Sequence, residues 1–148
     1  MTTITKQEEV SIITFADIPY DSESSFICSV FSAAASENVV IDMISKAPVS
    51  AESTSIGFTF ADSDMPKILK VSNGVKPAKP PMINSGNVKF IIKSAEMVEG
   101  VGFAEKVFKA LANAKANPIL ITTALDEISV VVRESDSTDL ETELRKVF

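Results

Sequence analysis

The stretch VFSAAASENVVIDMI (residues 30–44) is repeated in outline as VFKALANAKANPILI (residues 107–121), 77 positions further along the chain. Each copy starts with Val-Phe, continues through an alanine-rich run and ends in an aliphatic run. A shift of 77 superposes identical apolar or small residues at helical spacing: Phe26 on Phe103, Val30 on Val107, Phe31 on Phe108, Ala33 on Ala110 and Ala35 on Ala112. A chemical site rarely needs such a repeat, so the pattern predicts a duplicated fold unit.

Composition limits the classes of function that the chain can have. The chain has 148 residues, 45% of them apolar, and a formal net charge of −6. The negative charge argues against a nucleic-acid groove and against binding to an anionic membrane surface. No run reaches the ~18 apolar residues of a transmembrane helix, and the N-terminus lacks a signal-peptide pattern. With Cys28 as its one cysteine, the chain is expected in the cytoplasm.

The residues that usually carry catalysis or bind metals are scarce. The chain has no histidine and a single cysteine, so imidazole catalysis and thiolate zinc sites are excluded. Its five glycines are scattered and form no phosphate-binding loop. We therefore expect no metal, no cofactor and no catalytic activity from this chain by itself.

Hydrophobic periodicity gives the same order of elements in both halves. The first half reads as strands at 10–18, 38–45, 54–61 and 81–84, helices at 22–37 and 62–72, and a loop at 73–81. The second half reads as strands at 87–94, 117–124 and 126–134, a loop at 96–102, and helices at 103–115 and 135–148. Thr138 and Glu141 have the spacing of a capping box at the start of the last helix. This order predicts an α+β fold of two ferredoxin-like βαββαβ units, with antiparallel sheets and helices on one face.

The second unit lacks residues for its last strand, because its helix reaches Phe148. An unassigned alternating segment at residues 2–6 precedes the first unit, and we infer that it supplies the missing edge strand. The predicted domains are therefore residues 10–85 and a discontinuous second domain of residues 2–6 and 87–148.

These residues resemble the paired ACT domains at the C-terminus of aspartokinases. FSAAASENVVIDMI (31–44) and FKALANAKANPILI (108–121) are similar to the F-x-A-L-A-E-A-G-I-N-V-D-M-I segment of that family. IGFTF (56–60) and ISVVV (128–132) are similar to its third strands. The resemblance covers essentially the whole chain, including the strand lent to the second module.

The resemblance implies feedback regulation. Such modules bind lysine or threonine at ACT interfaces, often across a dimer, and shift an attached kinase towards an inactive state. It therefore implies an amino-acid effector and an aspartokinase catalytic domain or subunit as partners. Exposed edge strands of small sheets are usually covered by pairing, so we also expect a homodimer.

A zwitterionic effector needs backbone N–H groups at a helix start for its carboxylate and an acidic group for its ammonium. The resemblance places the ammonium at Asp42 and an effector contact at Asn117. Either Asp17 or Asp21 corresponds to the acidic residue of the family's first loop. Lys46, in place of the usual glutamine, could pair with a carboxylate. The remaining predicted ligand-binding residues flank these positions: Ser25, Phe26, Ile41 and Ile119.

Two other interpretations stay open. The first loop, DIPYDSESSF (residues 17–26), has no Pro-Gly turn, and Ala47 replaces the family's asparagine. These departures are also what a ligand-less assembly or dimerisation module with a degenerate pocket would show. A small enzyme on the same fold is the third interpretation, which the lack of histidine disfavours.

Overall fold

A computed structural model describes residues 1–148 and divides them into two compact units. Glu9–Ser85 form one, here called the inner unit. Met1–Glu8 and Gly86–Phe148 form the other, here called the outer unit. Two long strands, β1 (Thr2–Pro19) and β4 (Met82–Ser94), contribute residues to both units. Each has a residue of positive φ at the boundary, Glu9 at 58° and Gly86 at 70°, which interrupts the regular strand geometry there.

The inner unit continues from β1 through α1 (Glu23–Ser36), β2 (Ile44–Pro48), β3 (Ser53–Ala61), a 3₁₀ turn (Asp62–Asp64) and α2 (Met65–Val75). Its strand order is β2-β3-β1-β4, and β3 pairs antiparallel with both β1 and β2. Alternate side chains of the strands pack against both helices in one core: Ile13, Phe15, Ile56, Phe58 and Phe60 with Val30, Ala34, Ile68 and Val71.

The outer unit follows β4 with a single helical turn, α3 (Glu96–Glu99), then α4 (Phe103–Ala114), β5 (Leu120–Ala124), β6 (Glu127–Arg133) and α5 (Glu134–Val147). Its strand order is β1-β4-β6-β5, the same arrangement as in the inner unit. Its core joins the strands to both helices through Val88, Phe90, Ile92, Ile128, Val130 and Val132 with Val107, Leu111, Leu140 and Leu144.

The N-terminal segment is packed into the outer unit. Ile4 lies against the outer core, and the Lys6 ammonium is 3.4 Å from the Glu141 carboxylate of α5. The predicted α+β fold class, with two ferredoxin-like units and an N-terminal strand that completes the second, is confirmed.

The repeated stretch ends both helices in the same way. Asn38 (φ 57°) and Lys115 (φ 54°), one repeat apart, adopt the left-handed conformation directly after α1 and α4. The next amides, of Val39 and Ala116, donate to the carbonyls of Ala34 and Leu111 at 3.0 Å. This is the Schellman arrangement, in which the buried residue after the left-handed one packs back onto the helix.

Several predicted element boundaries are wrong. The strand predicted from residue 38 begins at Ile44, because the Schellman turn occupies its first residues; Asp42 and Met43 still hydrogen-bond to Thr59. Helix α2 runs on to Val75, through residues predicted as loop.

The two strands predicted at 81–84 and 87–94 are one strand, Met82–Ser94, which continues through Gly86 despite the positive φ of that residue. The predicted loop at 96–102 contains the turn α3. Thr138 and Glu141 form no capping box, because α5 already begins at Glu134.

Candidate functional site

A β-bulge shapes the end of β1 in the inner unit. Phe15 pairs with Ile56 and Ile18 with Thr54, so β1 uses one more residue than β3 over this interval. Within the bulge Asp17 has a φ of 53°, an unusual conformation for a residue other than glycine. The Asp17 carboxylate pairs with the Lys79 ammonium and accepts a hydrogen bond from the Ser53 hydroxyl at 3.4 Å.

A cavity of about 190 Å³ adjoins this bulge and lies wholly within the inner unit. Its walls are mostly apolar, and the rings of Phe15 and Phe26 meet edge to face with their centroids 5.5 Å apart. Asp17 contributes the only acidic side chain to the lining. The volume is below the ~300–1,000 Å³ of pockets for drug-sized ligands and suits a molecule as small as a single amino acid.

The start of α1 forms another part of the cavity wall. The capping residue Ser22 lines the cavity, yet its hydroxyl caps no helical N–H group and contacts the Pro19 carbonyl at 3.5 Å instead. The Ser25 hydroxyl donates to the Ser22 carbonyl at 3.1 Å. The first-turn amides of α1 therefore have no side-chain acceptor, and this end of a 14-residue helix is suited to an anion.

Electrostatic pairs surround the start of α1. The hydrogen bond and positive charge of Lys79 hold the pKa of Asp17 below its ordinary value. Lys46 of β2 lies 2.6 Å from the Glu23 carboxylate in the first turn of α1. Its ammonium also lies 5.9 Å from the centre of the Tyr20 ring.

The structure brings some of the predicted ligand-binding residues to the cavity and leaves others apart from it. Phe26 lines it, and Ser25 lies in the same first turn of α1. Asp21 is exposed in the preceding turn and does not line the cavity. Lys46, predicted to meet a carboxylate, is paired with Glu23.

Four predicted residues lie in other places. Ile41 packs against the inner core, and Asp42 is exposed, with its amide 3.2 Å from the Thr59 carbonyl. Neither lines the cavity. Asn117 and Ile119 belong to the outer unit, where Asn117 is exposed and the Ile119 amide donates to the Val131 carbonyl at 2.7 Å.

Sequence reasoning missed the segment that closes one side of the cavity. Residues 76–78 line it and Lys79 pairs with Asp17, although residues 73–81 read only as a breaker-rich loop. The sequence alone does not distinguish Asp17 from Asp21 as the acidic residue that corresponds to the family's first loop. Of the two, Asp17 lies in the bulge and lines the cavity, whereas Asp21 does not.

The structure contains neither a cluster of potential metal ligands nor a helix suited to cross a membrane. No three histidine, cysteine, aspartate or glutamate side chains are grouped so that they could hold a metal ion. None of the helices is both long enough and apolar enough to span a bilayer.

Comparison with known proteins adds a family and a fold. Residues 87–148 match the family model described as ACT domain. Over 142 residues the chain is 25% identical to the aspartokinase of Geobacillus stearothermophilus, a match that covers 96% of this chain and 34% of that protein. The chain thus spans about a third of the length of this curated relative.

Two solved structures illustrate the likeness in fold. The ligand-free regulatory subunit of aspartate kinase from Thermus thermophilus superposes with a TM-score of 0.87 at 19% identity, covering 98% of this chain and 96% of that one. Aspartokinase III of E. coli in complex with lysine and aspartate gives a TM-score of 0.70 at 14% identity, covering 99% of this chain and 33% of that one.

Proposed function

We propose that the chain is the amino-acid-sensing part of an aspartate kinase, because residues 87–148 match the ACT-domain model and the whole chain has the fold of an aspartate kinase regulatory subunit. In this role it binds an effector and transmits feedback control to a catalytic domain or subunit. Each unit is one ACT domain, the first of residues 10–85 and the second of residues 2–6 and 87–148.

The effector is lysine or threonine. One of the matched proteins, aspartokinase III of E. coli, was solved with lysine bound. The observation that carries the proposal for this chain is that one small cavity joins the Asp17 carboxylate to the uncapped start of α1. An amino acid has the complementary charges, because its ammonium would meet Asp17 and its carboxylate the first-turn amides of α1.

The family pattern adds a second part to this site. Asp42, Ile41 and Lys46 near the start of β2, and Asn117 and Ile119 before β5, are the positions that it assigns to the effector. They remain candidates for contacts that form when two copies of the chain pair.

Pairing of two copies is itself part of the proposal. The short edge strands carry exposed aliphatic residues, Ile44 on β2 and Ile121 on β5, which a second chain could cover. Light scattering at tens of micromolar protein should give the mass of a dimer, and a monomer mass would contradict this part.

The single cysteine, Cys28, is free, in keeping with a cytoplasmic location.

A thermal-shift panel of the twenty amino acids, followed by calorimetry, tests the sensor. An effector at 100 times its dissociation constant adds about 2.7 kcal/mol to the free energy of unfolding. We expect lysine or threonine to stabilise the protein and Asp17→Asn to abolish the shift. Asp21→Asn is the matched control, since Asp21 does not line the cavity, and it should leave the shift intact.

The remaining outcomes are also informative. Loss of binding in Asp42→Ala but not in Asp17→Asn would move the ammonium site to the segment before β2. No stabilisation by any amino acid would favour the second candidate function, a ligand-less assembly module. That alternative is favoured by one observation: Asp17 is already paired with Lys79, and Lys46 with Glu23.

A further inference from the structure

The segment that closes the cavity, here called the strap (residues 76–81), connects α2 to β4. It begins at Lys76, which ends α2 in the left-handed conformation with φ 50°, and it contains three of the chain's seven prolines. Proline fixes φ near −65°, so the strap has little conformational freedom of its own. Lys76, Pro77 and Ala78 line the cavity.

One ionic contact ties the strap to β1. The Lys79 ammonium pairs with the Asp17 carboxylate, which also accepts a hydrogen bond from Ser53. The only carboxylate of the cavity lining therefore already holds a primary ammonium, and that ammonium belongs to the chain itself. It is chemically the same group that an amino-acid effector would bring.

We propose that Lys79 is an internal competitor for the effector: its ammonium latches the strap to Asp17 and must leave before an effector ammonium can bind there. The inference rests on the proposed function, because it concerns the same cavity. It assigns to Lys79 a role in setting affinity and specificity that the sequence pattern gives to no residue of the strap.

Displacement is selective because the two ammonium groups differ in what accompanies them. The Lys79 side chain brings a cation alone, whereas an amino acid brings a cation and a carboxylate that can bind the start of α1. A zwitterion therefore gains a contact that the latch lacks. A diamine of the same length as lysine gains no such contact, so it has to displace the tethered Lys79 ammonium from Asp17 through its cationic groups alone.

The size of the effect follows from exposure. The Lys79 side chain is 64% exposed and that of Asp17 is 33% exposed, so the pair is screened by water and salt. Exposed ion pairs of this kind shift an equilibrium by about twofold to fivefold. Removing the latch should raise amino-acid affinity by about that factor, and added salt should narrow the difference.

The test compares the full chain with Lys79→Met and with Lys70→Met, a control that removes another exposed lysine–carboxylate pair of the inner unit (Lys70 with Glu37, 2.9 Å) at a residue that does not line the cavity. Calorimetry measures the affinities for L-lysine, L-threonine and 1,5-diaminopentane. Carbon-13 NMR follows the titration of the Asp17 carboxyl group without any ligand. We expect Lys79→Met to bind the effector about twofold to fivefold more tightly and to raise the pKa of Asp17. The diamine should bind Lys79→Met more tightly than it binds the unaltered chain, and Lys70→Met should behave as the unaltered chain.

Each contrary outcome overturns a stated part. An unchanged titration of Asp17 in Lys79→Met means that no latch forms, whatever the effector does. A changed titration with equal amino-acid affinity in both chains means that Lys79 does not compete, while the sensor itself survives. Absence of amino-acid binding in every variant rejects the proposed function and the competition together, and the Asp17 titration then still reports whether the ion pair exists.

Discussion

Helix α1 of the inner unit and helix α4 of the outer unit occupy the same place in their repeats but begin differently. Helix α4 begins at Gly102, whose φ of 91° suits glycine, after the turn α3. Helix α1 follows the bulged strand β1 after a short turn, with Ser22 rather than a glycine at its capping position. Four residues of α4 are buried, against two of α1.

The two copies of the repeat therefore differ in structure most clearly at the start of this helix. The ACT-domain model matches residues 87–148, which lie in the outer unit. The inner unit keeps the same strand order and helix ending, but it also contains the bulge before α1, the cavity and the strap. The candidate binding site therefore lies in one copy of the repeat, at the start of its first helix.

The largest difference in stability should come from Phe31 and Phe108, which are equivalent in the repeat but packed differently in the two units. The Phe31 ring lies 5.3 Å from that of Phe58 in the inner core, whereas Phe108 is 37% exposed. Phe31→Ala should cost about 2–4 kcal/mol and Phe108→Ala no more than about 0.5 kcal/mol, measured by urea unfolding.

The preceding residues provide the control for that pair. Val30 and Val107 are 1% and 0% exposed, so each change to alanine should cost about 2 kcal/mol in either unit. Equal losses at Phe31 and Phe108 would mean that the two helix faces are packed alike, and the comparison would fail.

A smaller effect separates the two helix starts. Gly102→Ala should cost about 1–2 kcal/mol, because a side chain is strained at positive φ although space for it is open. Ser22→Ala should change the free energy of unfolding by less than about 0.5 kcal/mol, since the Ser22 hydroxyl caps nothing. Thermal unfolding of both variants measures the contrast, and a large loss at Ser22 would indicate a cap that the structure lacks.

The smallest effect concerns pH. Lys79 holds the pKa of Asp17 below its ordinary value of 3.8, and Lys109, 2.8 Å from Glu105 in α4, does the same for that carboxyl group. A lowered folded-state pKa stabilises the protein above the unfolded-state pKa, and this contribution is lost as the pH falls through the folded-state value. Asp17→Asn and Glu105→Gln should therefore slightly lower the urea midpoint at about pH 7, and this effect should disappear as the pH falls through the folded-state pKa values of the two carboxyl groups.

The control for this last prediction is salt. Both carboxylates are accessible to water, so both differences should shrink at high ionic strength. A difference that persists in acid would point to a lost hydrogen bond or altered packing rather than a lost charge.

The fold and the family relationship could be predicted from sequence because they depend on features repeated along the chain. The apolar spacing of the two VF stretches gave two helices of one type, and the missing last strand pointed to residues 2–6. The fold class and the resemblance to aspartokinase ACT pairs are confirmed. These features survive single substitutions, since many residues share in each of them.

The candidate site depends on backbone details that no periodicity reports. One extra residue in β1 brings Asp17, rather than Asp21, to the cavity lining. The Schellman turn at Asn38 delays β2 and leaves Asp42 outside the strand that was predicted to contain it. The prolines of residues 76–81 predict a loop but give no indication that Lys79 pairs across the cavity.

The discontinuous outer unit also has a consequence for how the chain comes off the ribosome. Met1–Glu8 are synthesised before Glu9–Ser85, and their partners in Gly86–Phe148 are synthesised after it. Domains generally fold as units during synthesis. The inner unit can therefore fold before the strands of the outer unit exist to pair with Met1–Glu8. Helix α5 places Glu141 beside Lys6. Residues 1–8 can therefore complete their contacts with the outer unit only after α5 has been synthesised.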